Sequence, residues 1–441
     1  MTTHDDGKVI LRPGQDGYDD ALASFQTGFV RRPDVIYAAA RAEDVVAAVR
    51  YAAAAGLPLG VHATGHGLPG AVRGGVLVST RGLAGVTVDP VARTARIGAG
   101  ARWGAVTEAA AAHGLAPLNG SAPTVGAAGY VLGGGLGILA REFGYTADHV
   151  RSLDVVTADG TARHVTADQD PELYWGLLGG GAGLAVVTSL EVDLVPVTRL
   201  YGGFLAHDGR AADPAALLAA YARWAATVPP ALTSSVAALV YPDLPALPPH
   251  LRGQYVVSVR VAFTGSAAEG ERLVAPLRAA LGPAVTDTLR EMPYAESPTI
   301  HNDPEFPHAY CGDGVLLSEL DVAAAAEVFA RCGPQAGAMH VVQLNHLGGA
   351  LARPAPNAVP HREAEWLLRI LSPLDGSSEQ AARAHQAAAF GTVAEHILGR
   401  SLAFAFGGGE RTEGLFDADT RKRLADVKAA YDPANLFRRS E

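Results

Sequence analysis

Residues 120–150 read GSAPTVGAAGYVLGGGLGILAREFGYTADHV, with eight glycines in a stretch otherwise dominated by alanine, leucine and valine. Each glycine gives up side-chain packing and adds entropy to the unfolded chain, so a stretch this dense marks backbone that something approaches closely. A bound ligand is the natural candidate. For any single segment, a tight turn between short strands is the plainer alternative.

Upstream, EDVVAAVRYAAAA (43–55) carries apolar positions at helical spacing behind acidic residues and predicts a helix that stops at Gly56. Short apolar runs follow, PLGVHA, VLVST, VTVDP and ARIGAG, and read as strands; ARWGAVTEAAAAHG reads as a second helix closing at Gly114. Between the first helix and these strands lies VHATGHGLPG (61–70), which sets two histidines four apart among glycines. Downstream, SLDVVTADGTARHV (152–165) predicts a hairpin turned at Asp159-Gly160, and LLGGGAGLAVVTSLEVDLVPV (177–197) a second glycine loop feeding a strand.

After Pro196 the texture changes. Helical stretches such as AADPAALLAAYARWAATV alternate with strands such as QYVVSVRVAF and HVVQLNHLGG, an α+β pattern of helices over an antiparallel sheet. The end of the chain returns to glycine in FGGGE, then a helix, DADTRKRLADVKAAY, and the turn DPANLF. These readings divide the chain into residues 1–196, 197–395 and 396–441.

Composition narrows the function. A chain of 441 residues, 49% hydrophobic and 18% charged, exceeds one ordinary core. Lys+Arg 35 against Asp+Glu 45 gives −10, with no Lys/Arg-rich run, which argues against nucleic acid as a partner. The start, MTTHDDGKVI, lacks the basic and apolar regions of a secretion signal, and no apolar run is long enough for a bilayer, so a cytoplasmic location is expected. Cys311 and Cys332 form no CxxC pair, which supports neither a disulfide framework nor a thiolate metal site. Heavy use of Ala, Gly and Arg beside three Lys suggests a GC-rich bacterial genome.

The glycines do not spell a dinucleotide fingerprint. Gly98 and Gly100 follow a strand, but Gly104 lies one residue too far along; GGGLG lacks a clear preceding strand; and no P-loop occurs. Three separated glycine segments instead suit a long, polyphosphate-containing ligand held by backbone N–H groups.

Four segments in order resemble one family. RPDVIYAAARAEDVVAAVRYAAAAGLPLGVHATGHG, GSAPTVGAAGYVLGGGLGILAREFGYTADHVRSLDVVTADG, ELYWGLLGGGAGLAVVTSLEVDLVP and RLADVKAAYDPANLF resemble the FAD-linked oxidoreductases with a vanillyl-alcohol-oxidase (PCMH)-type flavin domain. Within that family they resemble the berberine-bridge-enzyme-like branch. The resemblance implies a two-lobed FAD-binding domain, a substrate domain whose antiparallel sheet is covered by helices, and a carboxyl-terminal segment returning to the flavin domain.

It also implies that His66 bonds through its ring to the flavin 8-methyl carbon, with Gly65 and Gly67 letting the backbone approach. The other cofactor contacts expected are His62, Ala63, Thr64, Thr124, Val125, Gly126, Gly129, Tyr130, Gly134, Gly135, Gly137, Val187 and Asn435. No family role carries over to His62, for which packing at a strand end is the competing reading. A His-x-x-x-His metal site would need a helix, which Thr64-Gly65 opposes, so no metal is expected. Some relatives add a thioether from a cysteine in the loop at 120–126. Here Ala122 stands there, and one covalent link with a correspondingly modest rise in oxidising power is expected.

Two departures weaken the carry-over. Leu178 to Ala185 lacks the Arg and Asn that relatives often place there, and Ala403-Phe404-Ala405-Phe406 stands where a Tyr-x-Asn-Phe element is expected. The candidates left for a catalytic base are Tyr255, Glu319, His340, Gln343 and Asn345, with His346. In HVVQLNHLGG, alternation puts His340 and His346 on one face and Gln343 and Asn345 on the other, and either face could meet the flavin. The resemblance thus implies an oxidase of a small, natural-product-like alcohol, hemiacetal or phenol, passing a hydride to flavin N5 with O2 as acceptor. A flavin dehydrogenase, an oxidative cyclase of secondary metabolism and a flavin-binding scaffold without turnover are the alternatives. The oligomeric state stays open, a homodimer among the options.

Overall fold

A computed structural model describes residues 4–5, 8–68, 70–181, 183–243, 245, 251–374, 378–407 and 413–438. Three sheets carry the architecture. In the first, Leu59–His62 and Val35–Ala38 both pair parallel with Val76–Ser79. Parallel neighbours need a crossover, and the helix Ala42–Ala55 supplies it. The Asp44 carboxylate accepts from the N–H groups of Ala40 and Arg41 at 3.0 and 3.1 Å to cap its start, and Gly56 ends it at φ 65°. Val45, Ala48, Val49 and Ala52 form its fully buried stripe against Val35, Tyr37, Val76 and Val78.

The second sheet runs Ala162–Val165, Val150–Val156, Val186–Asp193, Thr94–Gly98, Val86–Asp89, all antiparallel. The hairpin read at Asp159-Gly160 is real, but its strands part after Val156 and rejoin at Ala162, which leaves a five-residue loop, 157–161. The Asp159 carboxylate closes it by accepting from the Thr157 hydroxyl (2.7 Å) and the Thr161 N–H (3.0 Å). The helices Trp103–Ala111, Ala127–Leu132 and Pro171–Leu177 bury Trp103, Val131 and Leu177 against this sheet.

The third sheet has nine antiparallel strands between Arg199 and Arg400. One face carries the largest core, with Val236, Val259, Val342 and Leu368 under the helices Pro214–Ala225, Ala267–Leu281, Val322–Arg331 and Glu379–Phe390. The opposite face meets the glycine-dense segment. There Arg141, 6% exposed, donates to the carbonyls of Leu347 (2.8 Å), Pro229 (3.1 Å) and Leu232 (2.6 Å). Tyr294 donates to Pro117 O, and Arg362 pairs with Asp148 at 2.6 Å. These buried polar fasteners fix where the sheet face stands against the loops of residues 63–67 and 120–126. The terminal helix Ala418–Tyr431 packs on Pro171–Leu177, and Leu59 N–H donates to Leu436 O at 2.9 Å, so the end of the chain returns to the first two sheets.

Candidate active site

His62 ends its strand with both ring nitrogens engaged: Nδ1 lies 2.7 Å from Arg31 Nη1, and Nε2 lies 3.0 Å from Ala21 O. Nε2 therefore carries the hydrogen and Nδ1 accepts. Burial first, then the charges of Arg31 and Arg81, push its pKa down to about 3. Protein partners thus satisfy both of its ring nitrogens, the arrangement that packing at a strand end requires.

The chain then turns at Gly65, φ 74°, where a Cβ would stand 2.4 Å from that of Ser24. The turn is strapped to the preceding segment by Phe25 N–H to Thr64 O (2.9 Å) and Gln26 N–H to Gly65 O (3.2 Å). Thr64 Oγ1 accepts from Gly126 N–H at 3.2 Å and so joins the two glycine loops.

His66 shares the burial of His62 but not its full set of partners. Its ring stacks on Phe25 with centroids 3.7 Å apart and planes 14° from parallel, and it hydrogen-bonds the backbone of Thr124. Its carbonyl accepts from the Tyr310 hydroxyl at 2.7 Å. Nε2, however, is buried with no partner, and so is Thr124 Oγ1. An unsatisfied buried polar atom costs about 1–3 kcal/mol. Two of them in adjoining residues, where two glycine loops meet, mark a place built for another group. Burial, with a smaller contribution from Arg102, pushes the His66 pKa down to about 4, so the imidazole is uncharged and nucleophilic at neutral pH.

Facing these loops, the third sheet presents Arg260, Gln343 and Arg369. Both guanidinium groups donate to Gln343 Oε1, and Gln343 Nε2 donates to Asn345 Oδ1 at 3.1 Å. Asp303 accepts from Ser121 of the second glycine loop. Its carboxyl is held below the usual range, against the cost of burial, by His301, Arg260 and Arg369. Phe404 lies under the Arg369 guanidinium at 4.5 Å, in the segment where Tyr and Asn were expected.

The other expected residues separate clearly. Gly67 and Gly129 face open space, and Ala63 O accepts from Arg81 Nε. Val125 and Gly126 hold the loop to Trp103 and Arg102 through backbone bonds. Tyr130 lies edge-on to Trp103 and fills the space beside Gly120 and Gly135. Gly134, Gly135 and Gly137 pack against Val359, Thr146 and the Asn119 carbonyl, so protein atoms occupy the room those glycines make. Val187 is buried in its strand, and Asn435 is an exposed turn residue at φ 51°.

Three catalytic candidates stand away from the glycine loops. Tyr255 shares the helix-covered face with Val257 and Val259. Glu319 is exposed and pairs with His396 at 3.2 Å. His340 is buried among the helices, bonded to Ser372 Oγ (2.8 Å) and stacked on His385 at 3.9 Å. His346 stacks on Trp366 on that same side. Gln343 and Asn345 stand on the face toward the glycine loops. Arg260, Arg369, Asp303, His301 and Phe25 were not singled out by sequence. For the two arginines the signal was there, since each is the one charged residue of its strand, YVVSVRVAF and WLLRILSP.

Residues 33–166 match the FAD binding domain family, and residues 400–441 match the berberine and berberine-like family. The chain thus joins an FAD binding domain to a berberine-like carboxyl-terminal segment, and is similar to FAD-linked oxidoreductases that carry this pair. This oxidoreductase is 28% identical to (R)-6-hydroxynicotine oxidase of Paenarthrobacter nicotinovorans over 98% of its own length and 95% of that protein's. Its fold superposes on the crystal structure of 6-hydroxy-D-nicotine oxidase from Arthrobacter nicotinovorans with TM-score 0.82 at 25% identity, covering 98% and 96% of the two chains. It superposes on glucooligosaccharide oxidase from Acremonium strictum, whose FAD is described as 6-S-cysteinyl and 8α-N1-histidyl, with TM-score 0.83 at 21% identity and 98% and 96% coverage.

The oxidoreductase is an FAD-dependent enzyme, and the unpartnered His66 Nε2 and Thr124 Oγ1 fit a flavin at the junction of its loops. Its two cysteines lie elsewhere: Cys311 is buried beside Gln386, and Cys332 is 3.8 Å from His385. Among the described residues, no helix is long and apolar enough to cross a membrane.

Proposed function

We propose that the oxidoreductase is an oxidase that holds FAD through a single covalent bond to the His66 ring and oxidises a small, natural-product-like alcohol, hemiacetal or phenol with O2 as electron acceptor. The observation that carries this reading is the His66 ring: buried, uncharged at neutral pH, clamped against Phe25, and with one nitrogen lacking any partner. A nucleophilic nitrogen fixed in one orientation meets the geometric requirement for alkylation by an electrophilic carbon. Ala122 offers no sulfur for a second bond.

The chemistry that bound FAD supplies is acceptance of a hydride from a substrate C–H bond. The protein's part is to hold and orient. Thr64, Thr124 and the loop at 120–126 hold the cofactor side. Arg260, Gln343, Asn345 and Arg369 orient the substrate side. Asp303 and His301 are the titratable groups of the recess able to hold the proton that leaves with the hydride. Relatives named as oxidases of a hydroxynicotine and of sugars support a small polar substrate.

The test is the absorption spectrum of the purified protein before and after acid precipitation, for wild type and His66→Ala. Yellow colour is expected to stay with the wild-type pellet and to leave the variant's. Colour released from the wild type would break the tether, and a colourless protein would break the flavin reading. Rapid reoxidation of the dithionite-reduced protein in air is expected of an oxidase; slow reoxidation would make it a dehydrogenase.

A further inference from the structure

On the sheet face that meets the glycine loops, two cations stand side by side. Register places Gln343 directly across from Arg369, and Ser235 between Arg260 and Asn345. Gln343 is 1% exposed, and its amide is oriented by donation to Asn345, so its Oε1 is fixed toward both guanidinium groups. One carbonyl shared by two guanidinium groups leaves most of their N–H donors to other partners. Among the described residues, no carboxylate lies within 4 Å of either arginine, and Ser235 Oγ, 3% exposed, has no partner.

The nearest negative charge is Asp303, which is already engaged by Ser121 and interacts with both arginines at longer range. Two positive charges against one negative leave one positive charge uncompensated on a partly buried sheet face, an arrangement that is costly unless an anion completes it. A monoanion neutralises the set, whereas a phosphate dianion would overshoot it. Planar guanidinium groups match a planar two-oxygen anion best.

We propose that Arg260 and Arg369, aligned by Gln343, form a receptor for a carboxylate carried by the substrate, which makes the enzyme selective for small organic acids bearing the oxidisable group elsewhere. This rests on the reading of the recess as the substrate side of a flavin site. Asp303 links the two halves, since it acts electrostatically on both arginines and on His66 while bonded to Ser121 of the cofactor loop. A carboxylate seated on the arginines thereby orients the rest of the molecule toward the loops, and Phe404 offers an apolar surface beside the anion.

The experiment is isothermal titration of the purified holoenzyme with benzoate, benzamide and inorganic phosphate, for wild type, Arg369→Gln, Arg260→Gln and Arg369→Lys. Benzoate is expected to bind the wild type, at least tenfold more tightly than benzamide or phosphate. Each Gln variant is expected to lose tenfold or more of the benzoate affinity, with benzamide unchanged and Arg369→Lys in between. Equal binding of benzoate and benzamide, tighter binding of phosphate, no benzoate binding at all, or benzoate affinity unaffected in both Gln variants would overturn the proposal. The visible spectrum of each sample is read first. A yellow wild type that ignores benzoate defeats the carboxylate receptor alone, whereas a colourless wild type defeats the flavin reading beneath it. Thermal unfolding of each variant shows whether it is folded, and the Lys variant keeps the test open if a Gln variant is not.

Discussion

The two sides of the recess are built from different materials. On the proposed cofactor side, the loops at 63–67 and 120–126 work through backbone: a left-handed glycine, N–H and C=O straps to residues 25 and 26, and the Thr64 hydroxyl joining one loop to the other. On the proposed substrate side, regular strands keep their ladders intact and present long side chains, Arg260, Gln343 and Arg369. A wall made of backbone is constrained wherever the chain turns tightly, as at Gly65, so it suits a partner that never changes. A wall made of side chains on a continuous sheet can be rewritten residue by residue. Under the proposed function, the cofactor is held by the fold and the substrate is chosen by a few positions on it.

The largest effect is expected where the two sides are fastened together. Arg141→Met strips a buried charge from three backbone carbonyls and should lower stability by about 3–5 kcal/mol, read as the shift in the urea midpoint. A loss under about 1 kcal/mol would mean that the sheet and the loops hold their relation without this bond set. Gly65→Ala addresses the backbone wall alone. It places a Cβ 2.4 Å from Ser24 Cβ at φ 74° and should cost about 2–4 kcal/mol together with flavin retention, whereas Arg369→Gln should keep both stability and colour. If Gly65→Ala kept its flavin and Arg369→Gln lost it, the contrast between the walls would be reversed.

His62 gives a pH signature to the cofactor side. Its folded pKa of about 3 lies below the ordinary value of about 6.5, so the unfolded chain binds the extra proton between these values, and stability falls as pH falls through that window. The contribution is fully present above about pH 7.5, and about 2 kcal/mol of it is lost by pH 5. His62→Gln should flatten that slope in midpoints measured from pH 7.5 to 5; an unchanged slope would assign the acid sensitivity to other histidines.

The same contrast explains what could be read from sequence. The proposed cofactor side is the more legible because its features are local: the histidine, its flanking glycines and the second glycine loop are short segments whose composition is abnormal in itself. Even so, Gly134, Gly135 and Gly137 share that composition while serving packing, because density of glycine reports a close approach without saying whether ligand or protein makes it. The substrate side depends on which strands become neighbours. Alternation correctly separates Gln343 from His340, yet only the layer of helices decides which face meets the loops. Arg260 and Arg369 meet through register set by two intervening strands. Asp303 follows the short helix Tyr294–Ile300 in a segment with no periodicity to mark it.

The smallest expected effect tests that face assignment most directly. Tyr255 is the kind of residue that sequence alone nominates as a base, a tyrosine on the sheet of the substrate half. Its hydroxyl, however, is buried without a partner on the helix-covered side, and burial holds its pKa up to about 12. Tyr255→Phe removes an unsatisfied polar atom and leaves the ring in place, so stability should stay the same or rise by up to about 1 kcal/mol. Flavin content and benzoate affinity should be unchanged. Glu319→Gln, at an exposed pair with His396, should likewise move stability by less than about 0.5 kcal/mol. A large loss of flavin reduction by substrate in Tyr255→Phe, with stability intact, would mean that chemistry reaches through the sheet from the helix side. The recess between the loops and Arg260, Gln343 and Arg369 would then be the wrong place to look for the reacting atoms.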